Sequence, residues 1–210
     1  MMKRLALLFA LSGMLLVAKA DTIALYSSAS TTSNNSVAEG IANAGPTVNI
    51  DANPAWAGPL AGSSWVSFTN TGNPSDSNFY TVPNGVSVIF SETFNLTGTI
   101  TSAFLNVLAD DTSSVVVNGV QIYKADTNGS YPTCSSTTIG CLTNTEGVFT
   151  SSQLLPLLHD GSNTISFTVY QEAGSSYGLD YAGGVTTPEP GSLLLAGAGL
   201  LGLLLLKARS

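Results

Sequence analysis

Hydrophobic and polar positions alternate through the middle of this chain, and no stretch between residues 21 and 187 repeats with a helical period. In Thr164 to Gln171, Ile165, Phe167 and Val169 alternate with polar neighbours. In Ile100 to Ala109, Ala103, Leu105, Val107 and Ala109 share one face, with Phe104 and Leu108 on the other. Val86 to Phe94, Trp65 to Phe68 and Leu179 to Val185 also read as strands. Ile23 to Tyr26 and Val48 to Ile50 give weaker strand signals in a Ser/Thr/Asn/Ala-rich stretch. Ser114 to Val117 and Val120 to Tyr123 flank Asn118-Gly119. That dipeptide suits a two-residue type I′ turn, because both central residues need positive φ. Asn70 to Asn78 and Lys124 to Gly147 read as long loops, and Ser151 to His159 as a short helical turn limited by Pro156. Many short strands separated by turns predict an all-β, antiparallel β-sandwich or barrel.

The two ends break this pattern. Lys3 and Arg4 precede an apolar run from Leu5 to Val17, and Ala18-Lys19-Ala20 is a small-x-small cleavage site. Residues 1–20 are therefore expected to be a secretory signal peptide, cut by signal peptidase so that the mature chain begins at Asp21. A retained signal anchor is the alternative. At the other end, Pro188-Glu189-Pro190 is followed by Gly191-Ser192, then by Leu193 to Leu206, which contains only Leu, Ala and Gly, then by Lys207 and Arg209. As a helix those 14 apolar residues rise about 21 Å, against a hydrocarbon core of about 30 Å. The span is short for a permanent anchor. The basic end favours the cytoplasmic side, which puts the body outside. Two prolines keep the triplet extended, as a processing enzyme requires.

Residues 188–210 resemble the PEP-CTERM sorting signal of Gram-negative bacteria: the Pro-Glu-Pro triplet, an apolar helix and a short basic terminus, in that order. The resemblance implies a membrane protease of the exosortase type as partner. It also implies removal of the tail at or near Pro188, Glu189 and Pro190, and transient inner-membrane anchoring before transfer to the cell surface or the extracellular medium. A plain C-terminal anchor is the alternative.

Removing both signals leaves 167 residues, 21–187, enough for one domain with its own core. Part of that body also resembles the galactose-binding-like jelly roll. The matching stretches are Ile100 to Asp111, Val115 to Val120, Leu158 to Phe167 and Gly178 to Tyr181. The resemblance implies a jelly-roll-like antiparallel sandwich and leaves the function open, since that fold hosts many functions.

Charge narrows the partners. The body keeps one basic residue, Lys124, against twelve acidic ones, a formal charge of −11. Such a surface repels phosphate backbones, which argues against nucleic acid. Cys134 and Cys141 enter an oxidising compartment and are expected to pair, closing a small loop. A redox role would call for Cys-x-x-Cys. A zinc site would need ligands that the single histidine, His159, cannot supply.

Candidate chemistry is sparse. Asp110-Asp111 closes a strand before the hairpin. The pair could bind calcium, with Asp126 and Asp180 as helpers. Alternatively, one carboxylate caps the turn and the other is solvated. Among the aromatics, Trp65 and Tyr170 fit a core. Trp56 and Tyr177 lie in Gly/Pro/Ser-rich turns and are the candidates for glycan stacking. His159 is read as a turn residue, because no Gly-x-Ser-x-Gly elbow accompanies it. Nothing places any two of Glu92, Glu146 and Glu172 at the separation glycoside hydrolysis needs. No catalytic residue and no cofactor beyond that possible calcium is expected. The chain reads as an exported, non-enzymatic cell-surface or extracellular-matrix protein. The alternatives are a carbohydrate-binding module for exopolysaccharide and a secreted hydrolase with an unrecognised site.

Overall fold

The computed structural model describes residues 20–28, 37–39, 45–127, 134, 139–172 and 174–187. The N-terminal apolar run, the triplet Pro188-Glu189-Pro190 and the apolar run after it lie outside the described residues. Among the described residues no helix is long and apolar enough to cross a membrane.

Among the described residues, twelve strands form two six-stranded sheets whose pairings are all antiparallel. They are β1 (Asp21–Tyr26), β2 (Val37–Glu39), β3 (Gly45–Pro46), β4 (Val48–Asn49), β5 (Val66–Ser67), β6 (Ser87–Leu96), β7 (Ser102–Asp110), β8 (Thr112–Val117), β9 (Val120–Tyr123), β10 (Gly147–Phe149), β11 (Gly161–Tyr170) and β12 (Gly178–Thr187). The first sheet runs β10-β7-β12-β5-β4, with β1 also paired to β12, and the second runs β3-β2-β6-β11-β8-β9. One helical turn, α1 (Ser151–Leu154), follows β10. The expected antiparallel sandwich is what the chain forms. The short strands β2, β3 and β10 are additions to the pattern read from sequence.

Alternation decides which side chains enter the core. On β6, Val88, Phe90, Phe94 and Leu96 point inward. From the facing sheet, Ala103, Leu105, Val107 and Ala109 of β7 and Leu179, Tyr181 and Val185 of β12 meet them. Phe167 of β11 stacks on Tyr181, with ring centroids 4.6 Å apart. Each such aliphatic or aromatic side chain contributes roughly 1.5–3 kcal/mol when fully removed from water. Phe104 is on the opposite face of β7 and stays about half exposed, as alternation requires.

The β8–β9 hairpin has the geometry its sequence predicts. Asn118 sits at φ 47° and Gly119 at φ 80°. The Asn118 side chain also locks the turn to β11: its amide donates to Leu157 O and Asn163 Oδ1, and its carbonyl accepts from Thr164 N–H, each at 2.8 Å.

Two differences from sequence expectation bear on function. Tyr170, read as core, is only half-buried, because it closes β11 on the face opposite Val169. Glu92 takes an inward position on β6 and is almost fully buried. Its carboxylate accepts a hydrogen bond from the Tyr181 hydroxyl at 2.8 Å. Burial pushes its pKa up from 4.5 to about 7, with the Tyr181 bond opposing.

A candidate ligand cavity beside Trp56

The outward-facing side chains at one end of β7 and β12 are not exposed, because loops cover them. Leu108 and the disulfide form a second apolar cluster with Trp65, against which Ile50, Trp56, Leu60 and Leu142 pack. The expected Cys134–Cys141 disulfide is present, with Cα atoms 5.3 Å apart. It is tied to the sheet through its own loop: Gly140 O accepts from Ala109 N–H at 3.0 Å, and Cys141 O from Ala57 N–H at 2.7 Å. The Pro54-to-Gly62 loop is thereby fastened over the sheet.

Trp56 is half-buried under this arrangement. Its ring lies 4.3 Å from that of Trp65, tilted by 37°. Its indole N–H donates to Asp110 Oδ2 at 2.8 Å. Trp65 is fully buried, as expected of core, and its N–H donates to Ala57 O at 3.1 Å. A cavity of about 320 Å³ opens beside Trp56, lined also by Asn53, Asp110, Asp111, the disulfide and Ser175-Ser176. Asn53 Nδ2 donates to Ser176 Oγ at 2.8 Å, which joins two walls of it. The volume falls at the lower end of the range of about 300–1,000 Å³ typical of small-molecule sites.

Asp110 and Asp111 are both buried, which corrects the expectation that one of them is solvated. The cause is the covering loop over Asp110 and the turn after β11 over Asp111. Asp111 Oδ2 accepts from Glu172 N–H at 2.7 Å, so this carboxylate does cap a turn, though the one after β11. Burial drives the Asp110 pKa well up. Its hydrogen bond to Asp111 and the Asp111 charge add to the rise, while the Trp56 indole opposes it. Glu172 is raised too, by desolvation and then by the Asp111 charge.

Asp180, considered with Asp110 as a calcium helper, is satisfied elsewhere. Its Oδ1 accepts from Ser27 Oγ at 2.8 Å and its Oδ2 from Leu60 N–H at 2.7 Å. Burial raises its pKa, and the Ser63, Leu60 and Ser27 hydrogen bonds oppose the rise. Asp126 is exposed in the loop after β9. Among the described residues, one group of three side chains has metal-ligand spacing: Asp110, Cys134 and Cys141. Two of its three members are the disulfide sulfurs, which do not serve as thiolate ligands.

Tyr177 requires a correction. It is fully buried and offers no face to a glycan. Its hydroxyl donates to Val169 O at 2.8 Å and accepts from Val88 N–H at 3.1 Å, bridging β11 and β6. The Gly/Ser-rich turn ends one residue earlier, and Tyr177 opens the inward series Tyr177, Leu179, Tyr181. The same series was available in the sequence. Asn53 and Ser176, by contrast, carry only turn signals there, and their meeting across 123 residues is a product of the fold. His159 is exposed on its turn, with Nδ1 2.8 Å from Asp160 O.

A disulfide-stapled β-sandwich with a small, mostly apolar cavity edged by a few polar groups is the class these features define. The family model described as the PEP-CTERM protein-sorting motif matches residues 186–210. The chain is an exported, exosortase-dependent protein, anchored transiently in the membrane before it is sorted to the cell surface. No curated protein matches the chain. Among solved structures it is similar to an α-L-rhamnosidase of Streptomyces avermitilis complexed with L-rhamnose, at 20% identity and a TM-score of 0.42, covering 67% of this chain and 13% of that one. It is also similar to a native α-L-rhamnosidase of Aspergillus terreus, at 15% identity and a TM-score of 0.34, covering 60% of this chain and 18% of that one. The chain thus spans less than a fifth of either enzyme.

Proposed function

We propose that the sorted body is a non-enzymatic cell-surface binding module whose Trp56 cavity receives a hydroxyl-rich glycan unit, with exopolysaccharide as the natural ligand class. The cavity itself carries this reading: an indole, an Asn–Ser pair and a carboxyl pair converge in about 320 Å³. Sugar C–H faces pack on indole, and sugar hydroxyls bond to amide, hydroxyl and carboxyl groups. The chain's surplus of acid suits a neutral glycan better than an anionic one.

The same geometry supports a role without catalysis. Glycosidase carboxyls stand about 5–9.5 Å apart, flanking the bond they cleave. Asp110 and Asp111 are instead adjacent in the chain and buried, one on the Trp56 indole and the other on Glu172 N–H, and Glu92 is spent on Tyr181 in the core. Calcium has no part in this reading, since the pair offers few of the six to eight oxygens the ion takes.

The test is affinity electrophoresis of the purified body in gels containing exopolysaccharide from its host. Retardation is expected, reduced at least tenfold in Asn53→Ala and Trp56→Phe at unchanged melting temperature. Equal mobility with and without polysaccharide would leave a purely structural matrix role. Release of new reducing ends from the polysaccharide would overturn the non-enzymatic reading.

A further inference from the structure

The register of the last strand bears on where the sorting tail is cut. β12 is paired on both sides almost to its final residue. On one side β1 pairs from Asp21↔Thr187 to Tyr26↔Ala182, and on the other β7 pairs from Gly178↔Asp110 to Thr186↔Ser102. Thr186 is gripped further. Its carbonyl accepts from Thr101 N–H at 2.9 Å and from Thr101 Oγ1 at 3.0 Å. Its hydroxyl lies 3.2 Å from that of Thr22 on β1. Thr187 is 5% exposed.

An enzyme that binds its substrate as an extended segment pairs with free backbone N–H and C=O groups. Through Thr186, β12 has none to offer, because neighbouring strands occupy both of its edges. Pro188 changes this. It is a proline and carries no N–H with which to continue a ladder.

We infer that the folded body sets the N-terminal limit of tail removal. The bond cut is Thr187–Pro188 or a later one, and the mature protein keeps β12 whole. The reaction breaks one peptide C–N bond. Water supplies the hydroxyl to the new carboxyl end, and its proton goes to the amine of the released tail. β1 acts as the clasp: its own first residue, Asp21, lies opposite Thr187, so the two ends of the mature chain are neighbours across one strand spacing.

The experiment is intact-mass and C-terminal peptide analysis of the native protein recovered from its host, beside the full-length Ile23→Pro variant expressed in the same host. Proline at position 23 removes an N–H from β1 and weakens the clasp. Wild-type protein is expected to end at Thr187 or beyond. Ile23→Pro is expected to add shorter forms ending within residues 182–186. A wild-type C-terminus at Thr186 or earlier overturns the inference, because the enzyme would then have entered a paired strand. Identical C-termini in the two proteins also overturn it, because the triplet alone would then fix the cut. If Ile23→Pro yields no folded protein, the wild-type mass still decides the limit.

Discussion

Replacing Glu92 by Gln makes the sandwich more stable at pH 8 and not at pH 4. Glu92 is held between the sheets with Tyr181 as its hydrogen-bonding partner, and its pKa rises from 4.5 to about 7. In the unfolded chain the carboxyl loses its proton near pH 4.5, whereas in the folded chain it keeps it until about pH 7. Between these values the folded state binds more protons, so stability falls as pH rises and levels off above the folded value. At about 1.4 kcal/mol per tenfold change in proton affinity, the loss reaches about 3 kcal/mol by pH 8. Gln carries no charge at any pH and still accepts from the Tyr181 hydroxyl. Its extra N–H₂ has no assigned acceptor, at a cost of about 1 kcal/mol. Glu92→Gln is therefore expected to melt roughly 4–8 °C above wild type at pH 8, and level with it or slightly below at pH 4. Calorimetric melts of both proteins at pH 4, 5.5, 7 and 8 measure this. Asp110 and Asp180 titrate in both proteins and cancel in the difference. A difference in melting temperature that is constant across the four pH values would refute the reasoning.

Tyr177→Phe removes the hydroxyl that bridges Val88 and Val169 and leaves a buried N–H without its partner. It is expected to cost about 1–3 kcal/mol in urea unfolding while leaving glycan retardation unchanged, and lost retardation at unchanged stability would return Tyr177 to the binding surface. Replacing Cys134 and Cys141 together by Ser opens a loop of sequence separation 7. The expected loss of about 2–3 kcal/mol in unfolding free energy comes with weakened glycan binding, because the disulfide is one wall of the cavity.

Local signals proved legible wherever a residue has few alternatives. Asn118-Gly119 needs positive φ at both positions and takes it. The β7 alternation placed Ala103, Leu105, Val107 and Ala109 in the core and Phe104 outside. The partial exposure of Trp56 was legible because a tryptophan in a Pro/Gly loop has no regular element to bury it fully, and it is half-buried beside the cavity. Leu108 shows where such reading stops. It lies on the face that alternation assigns to solvent, yet a loop 40 to 55 residues earlier and the disulfide cover it. Asp110 is buried by the same cover, and its hydrogen bond from the Trp56 indole, 54 residues away, belongs to tertiary structure. Tyr177 failed for a different reason: turn composition before it outweighed the period of two that begins at it. Glu92 stands at an inward position that the period marks, but charge argues against burial until Tyr181, 89 residues away, is seen to meet it.

The antiparallel register of β12 also gives the molecule a direction. Its chain enters the strand at Gly178, beside Asp110 and the cavity, and leaves at Thr187, where the sorting segment begins. Nine steps of about 3.3 Å separate these ends, or roughly 30 Å. The cavity beside Trp56 and the residue at which the sorting segment joins therefore lie at opposite ends of one strand, so a ligand held at the first and a pull applied at the second would load β12 from its two ends.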